Sequence, residues 1–178
     1  MTLAHRLTTM RIALVAAFAL FASQPAFADV LKVGDRAAEF DVAVDASGKS
    51  IKLGKFKGKW LLVTAGAGWC KPCAKELPTW DKVAGDYKDK ITFVSLTLDD
   101  DIDDGKKFQK KMGLKNMVVV YMPSEKSSSA ARYGASTMPS SFIIDPQGVV
   151  RHVHAGFAER DASGEAKKLK SMLDKLVK

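Results

Sequence analysis

The chain has 178 residues, 47% hydrophobic and 27% charged, which is enough for one buried core and favours one domain over several. That apolar share excludes a wholly disordered chain, and a mean hydropathy of −0.07 excludes a polytopic membrane protein. The formal charge is +8, and two cysteines are too few for a disulfide framework or for a closed zinc site in one chain.

Arg6 and Arg11 precede an unbroken apolar run of eleven residues, 12–22, and Ala26-Phe27-Ala28 supplies small residues at the two positions a signal peptidase reads. This reads as a secretory signal peptide over residues 1–28, leaving one domain over residues 29–178. The apolar run is too short to cross a bilayer, which takes about 20 residues. An uncleaved anchor or a first core helix are the alternative readings. No cysteine lies near Ala28, which argues against a lipid anchor. Removal of the leader takes away two arginines and no acid, so the charge falls to +6. The lysines are scattered, with Lys106, Lys107, Lys110 and Lys111 the densest group. No aromatic-basic motif accompanies them, so a solvated basic surface is expected and nucleic-acid binding is not.

Along the chain, Phe40-Asp41-Val42-Ala43-Val44 alternates as a strand, Asp45-Ala46-Ser47-Gly48 is a turn, and Ile51-Lys52-Leu53 completes an N-terminal β-hairpin. Residues 60–65 are a continuous apolar run of buried-strand length, and residues 74–87 have helical spacing. Residues 91–98 form a second buried strand. Asp103 or Asp104 caps a helix running to Met112 and ended by Gly113. Residues 118–121 are a short strand and residues 127–133 a short helix before Gly134. Residues 140–144, the turn Asp145-Pro146-Gln147-Gly148 and residues 149–154 form a hairpin. Leu169, Met172, Leu173 and Leu176 mark an amphipathic C-terminal helix. Strands interleaved with helices predict an α/β sandwich.

Cys70-Lys71-Pro72-Cys73 sits where a buried strand gives way to a helix. Placed at the helix start, Cys70 meets unpaired backbone N–H groups and the positive dipole end, which favour a thiolate, and Lys71 adds charge of the same sign. Pro72 suits the first turn, where its missing N–H costs nothing. Cys73, one turn in and less exposed, can attack a mixed disulfide formed on Cys70. As a staple, so short a loop removes little chain entropy. A zinc site needs two further soft ligands, and His152 and His154 are expected on opposite sides of their strand, so neither metal ligation nor stapling is favoured. Glu76 lies three residues after Cys73 on the same helical face. It reads either as a carboxylate that takes and returns the Cys73 proton, raising the thiol pKa values, or as an exposed glutamate pairing with Lys75 or a neighbour.

Trp69-Cys70-Lys71-Pro72-Cys73 after a buried strand, Pro78 five residues on, and Met138-Pro139 ahead of a strand resemble the thioredoxin superfamily. The resemblance implies a thioredoxin-like three-layer α/β sandwich. It also implies a cis-proline loop at Met138-Pro139 that packs on the dithiol and offers backbone groups to an extended substrate. Cys70-Lys71-Pro72-Cys73-Ala74-Lys75-Glu76-Leu77-Pro78 is similar to the C-x-P-C-x-x-E-x-P signature of the exported TlpA/ResA-like disulfide reductases. The N-terminal hairpin, an inserted helix segment within residues 99–115 and residues 140–148 match that group too.

This resemblance implies a thiol–disulfide oxidoreductase with Cys70 as nucleophile, Cys73 as resolving thiol and Glu76 managing the proton. Trp69, Lys71, Pro72, Met138 and Pro139 would meet the target. No metal is implied, and no cofactor beyond the redox-active Cys70–Cys73 pair. The implied partners are proteins with thiols or disulfides, apocytochrome c among them, and a membrane electron donor. A periplasmic or extracytoplasmic monomer is implied. The chain departs from the pattern at Thr64, where many thioredoxins carry a buried acid, and in residues 64–68, which lack the group's aromatic residues.

Two other functions use the same residues. A thiol peroxidase of the peroxiredoxin type shares the fold, but its active loop needs a proline ahead of one cysteine, and residues 62–69 have none. A soft-metal chaperone would hold Cu(I) between the two thiols. The acidic run at residues 99–104 is not a calcium loop. With Gly105 at the sixth position of an EF-hand, Ile102 and Lys111 would occupy ligand positions. It is expected to be a solvated loop with a helix cap, and Trp60 and Trp80 are expected in the core.

Overall fold

The computed structural model describes residues 29–177, and the leader read at residues 1–28 lies outside them. Five strands form one sheet: Trp60–Gly66 (β1), Ile91–Thr97 (β2), Val118–Tyr121 (β3), Ser140–Ile144 (β4) and Val150–Ala155 (β5). Their order is β3-β2-β1-β4-β5. Three α-helices accompany them: Cys73–Tyr87 (α1), Ile102–Met112 (α2) and Ala162–Leu176 (α3). β1, β2 and β3 run parallel, joined by α1 and α2, while β4 and β5 are antiparallel and close the sheet as a hairpin. β1 is buried almost throughout, as its unbroken apolar run requires of a central strand covered on both faces.

Side chains two apart on a strand share a face. One face presents Leu62, Phe93 and Ile143 to Trp80 and Val83 of α1 and to Leu169 and Leu173 of α3. The other presents Val63, Leu96, Phe142 and Ile144 to Leu31, Phe40 and Tyr133. The three layers are therefore helices, sheet, and an outer layer of N-terminal chain with short 3-10 turns. The Tyr133 hydroxyl ties that outer layer together by donating to the Ala38 carbonyl.

The N-terminal hairpin is present in reduced form. Asp45 and Ile51 donate their N–H groups to the carbonyls of Lys49 and Ala43, and Val44 bridges both Ser50 and Tyr121, but no strand propagates. Leu53–Phe56 turns into a 3-10 helix instead. The short helix predicted at residues 127–133 is confined to 3-10 turns at Ser124–Lys126 and Ala131–Tyr133. Between them the Ser127 hydroxyl accepts the N–H groups of Ser129 and Ala130, a local side-chain bond that competes with helix.

The cap of α2 is Asp101, whose side chain accepts the Asp103 N–H at 2.7 Å, and not Asp103 or Asp104. Those two lie in the first turn and pair with Lys106 and Lys107. Gly113 ends α2 at φ 62°, as predicted. Asp99 is buried rather than solvated, and both its carboxylate oxygens accept the Gly68 N–H. It anchors the chain just ahead of Trp69.

Candidate active site

β1 ends at Gly66 and α1 begins at Cys73, so the intervening turn sets the two cysteines at the rim of the sheet. Cys70 and Cys73 form a disulfide and are both buried. Cys70 precedes α1, and its Sγ accepts the Cys73 N–H at 3.3 Å, so the sulfur sits on the positive end of the helix. Leu77, Phe108 and the partly buried Met112 and Met138 make an apolar collar around the pair. Trp69 is 67% exposed beside it. Lys71 is exposed and Pro72, as the N-cap of α1, half-buried. The Met138–Pro139 bond is cis, and Pro139 is buried.

The glycine-rich end of β1 has a steric cause. A Cβ on Gly66 would stand 3.2 Å from both Cβ and Sγ of Cys73, closer than ordinary packing allows. Because the disulfide and the helix start both hold Cys73, it has little freedom to retreat. Gly66→Ala should destabilise the oxidised protein by about 1 kcal/mol more than the reduced one, read from thermal unfolding with and without reductant.

Glu76 is 1% exposed and pairs with no lysine. The reading as a surface ion pair therefore fails for this chain. Its Oε2 accepts the Thr64 hydroxyl at 2.7 Å and its Oε1 the Ser141 hydroxyl at 3.1 Å. Thr64 and Ser141 are cross-strand partners in β1 and β4, with their hydroxyls 2.9 Å apart. The Trp80 indole donates to Ser141 from α1 at 3.1 Å. Burial pushes the Glu76 carboxyl up to about 7, against the hydrogen bonds from Thr64 and Ser141 that favour the charged form. The negative charge of Glu165 adds to the rise. Thr64 thus stands where an acid was missed in the sequence, and the acid reaches the same spot from the helix.

The three groups can serve both protonation states. With Glu76 ionised, each hydroxyl donates to one carboxylate oxygen. With Glu76 protonated, its Oε2–H can donate to Thr64, Thr64 to Ser141, and Ser141 to Oε1, over the same short distances. Neither state strands a buried donor, so the carboxyl can change charge without a penalty for an unmade bond.

The register extends this polar row across the sheet, from Ser95 in β2 through Thr64 and Ser141 to His154 in β5. Gln109 of α2 donates to Ser95 and Thr97 at one end. At the other, His154 Nε2 lies 3.1 Å from Glu165 Oε2, within ion-pair distance but out of line for a hydrogen bond. The expectation that His152 and His154 face opposite ways is wrong for a pleated strand. Residues two apart share a face, and both histidines line one cavity. Among the described residues no three His, Cys, Asp or Glu side chains cluster as metal ligands. The roles of Trp80, Ser141, His154 and Glu165 escaped sequence reasoning; the one usable signal was Ser141 in the Ser140-Ser141-Phe142 strand start, a hydroxyl in an apolar strand.

The AhpC/TSA family pattern matches residues 33–153. The chain is 30% identical over 154 residues to the thiol-disulfide oxidoreductase ResA of Bacillus thuringiensis strain Al Hakam, spanning 85% of this chain and 87% of the relative. Against ResA of Bacillus thuringiensis subsp. konkukian strain 97-27 it is 35% identical over 121 residues, 67% of this chain and 68% of that one. It superposes on a Chlorobium tepidum protein assigned as a thiol:disulfide interchange protein DsbE with a TM-score of 0.67 at 29% identity, covering 80% of this chain and 99% of that one. With a Cys-x-Pro-Cys disulfide at the start of α1 and a cis-proline beside it, the chain belongs to the AhpC/TSA family of thioredoxin-fold proteins and is a thiol–disulfide oxidoreductase.

Proposed function

We propose that this enzyme is exported and reduces disulfides in other exported proteins, apocytochrome c before haem attachment among them. The observation that carries the reading is a Cys70 sulfur on the N-terminus of α1 with a buried, proton-binding Glu76 one turn further along. In the reducing direction the Cys70 thiolate attacks a target disulfide, forming a mixed disulfide and releasing one target thiolate. Cys73 then attacks Cys70 Sγ, the second target thiolate leaves, and two electrons have passed to the target. Glu76 takes the Cys73 proton as the sulfur becomes a nucleophile. Met138 and Pro139 align the target strand, and Trp69, Lys71 and Pro72 meet it at the rim.

The signal-peptide pattern at residues 1–28 supports export, to a compartment where disulfides persist. A membrane electron donor re-reduces Cys70–Cys73, which serves as the sole redox group with no bound metal. Among the described residues no helix is long and apolar enough to cross a membrane.

The test is reduction of an oxidised Cys-x-x-Cys-His peptide, the haem-attachment sequence, compared with insulin, together with the reduction potential equilibrated against glutathione. A potential below that of glutathione with faster reduction of the peptide is the expected result. A potential well above it, with oxidation of dithiol peptides instead, would overturn the reductase direction.

A further inference from the structure

On the helical face of the sheet, away from the dithiol rim, a cavity of about 310 Å3 opens between β4, β5, α1 and α3. Its polar wall is Ser141, His152, His154, Glu165 and Lys168, and none of Trp69, Cys70, Met138 or Pro139 reaches it. Ser141 belongs both to this wall and to the hydrogen-bonded ring around Glu76. His154 is the cross-strand partner of Ser141, so their side chains rise on the same face as neighbours. The Trp80 ring stands edge-on to the His154 ring at 5.9 Å. Glu165, 4% exposed, lies between His154 and the exposed Lys168, at 3.1 and 2.8 Å. The opposite wall is apolar, formed by Leu62, Ile143, Leu169 and Met172, so water is held along the polar side, where the buried His154 Nε2 has no hydrogen-bond partner within the protein.

The chemistry at the rim calls for such a path. Glu76 is 1% exposed whatever the size of the target at the rim, so the proton it takes from Cys73 needs a route to solvent before the next cycle. We propose that the cavity is the proton exit of the dithiol site: Ser141 passes the Glu76 proton to cavity water, and His154 with Glu165 carries it to the surface beside Lys168. The proposal rests on the reading of Glu76 as the Cys73 base. Per resolving step one proton leaves Cys73 and one reaches bulk solvent, while the electron pair of the Cys73 sulfur forms the Cys70–Cys73 bond and the target thiolate departs. The groups that face Glu76 and this route are Trp80 on α1, Thr64 on β1, Ser141 on β4, His152 and His154 on β5, and Glu165 and Lys168 on α3.

Stopped-flow mixing of the fully reduced protein with an aromatic disulfide tests this, because its leaving thiolates are coloured and stay ionised. All enzyme protons then appear in a weakly buffered medium containing a pH indicator. In the unaltered protein, thiolate and proton release should coincide. His154→Phe should leave the first thiolate release unchanged and delay the second proton by about tenfold, and Ser141→Ala should delay that proton as well. Ser141→Thr should restore coincidence by restoring the hydroxyl. Glu165→Gln provides an independent variant should Ser141→Ala not fold. Proton release that still coincides with thiolate release in His154→Phe and Glu165→Gln overturns the route. Glu76→Gln separates the two ideas: if it fails to slow the second thiolate release, the Glu76 reading itself falls, whatever the histidine variant does.

Discussion

Cys70→Ala should leave no disulfide reductase activity above the uncatalysed exchange, whereas Cys73→Ala should still attack once and then stop as a mixed disulfide with its target. The asymmetry follows from placement. Only the Cys70 sulfur sits ahead of α1, accepting a backbone N–H at 3.3 Å, and it adjoins the exposed Trp69 and the cis-proline loop. Cys73 lies inside the helix start, 1% exposed, against Gly66. A thiolate is the attacking species, and the helix dipole stabilises it at Cys70. The loss in Cys70→Ala should reach at least about 1000-fold, since no second thiol remains at the rim to replace the nucleophile. Insulin precipitation measures the rate, and non-reducing electrophoresis detects the trapped complex. Equal trapping by the two variants would reverse the assignment of nucleophile and resolver.

The second large effect is the pH dependence that Glu76 imposes. A carboxyl raised from 4.5 to about 7 binds its proton more tightly in the folded chain than in the unfolded one. Its contribution to stability is therefore greatest below the unfolded value, falls as pH climbs through the window from 4.5 to about 7, and is level above it. The full span is on the order of 3 kcal/mol. In Glu76→Gln the amide copies the protonated carboxyl within the Thr64–Ser141 ring. That variant should lose this contribution, keeping those of Asp99, which burial also raises, and of His152, which burial lowers and which acts with the opposite sign. At pH values above the window it should be more stable than the unaltered protein, by urea unfolding of the oxidised form. The same substitution should slow the resolving step by about 100-fold at neutral pH, because Cys73 loses its base. A wild-type slope across the window no steeper than that of Glu76→Gln would show that Glu76 is not held neutral by burial.

Much of this was legible in the residues alone. Long apolar runs such as residues 60–65 can only be satisfied between two packed layers, so β1 and β2 were placed within a residue or two. Gly113, with its left-handed backbone, and the Asp145–Gly148 turn marked boundaries for the same local reason. The failures were also local in kind. Alternation at residues 40–44 suggested a strand, but its partner segment turns away at Leu53 and only single bridges form. Asp103 or Asp104 was expected as the cap, but Asp101 takes the role, because capping depends on which aspartate has extended backbone, and the tertiary path decides that.

The site divides in the same way. Cys70, Cys73 and Pro72 owe their roles to spacing along one turn and one helix start, which sequence alone specifies. That Glu76 is buried, and that the histidines two apart share a cavity, are matters of packing. Spacing placed Glu76 near Cys73 but left open whether it met water or the sheet. Thr64 lies twelve positions from it in the chain and Ser141 sixty-five, yet both touch its carboxylate.

The two cysteines and the charge that bounded the chain at the outset end with different meanings. The positive balance is a solvated surface, with Lys107, Lys110 and Lys111 exposed along α2. The cysteine pair is a disulfide at the start of α1, which we propose works as nucleophile and resolver, and local spacing with strand and helix patterning was enough for the sequence to point to that chemistry. The surroundings of Glu76 were decided by the tertiary structure, because strand register and helix packing bring Thr64, Glu76, Ser141 and His154 together from distant parts of the chain.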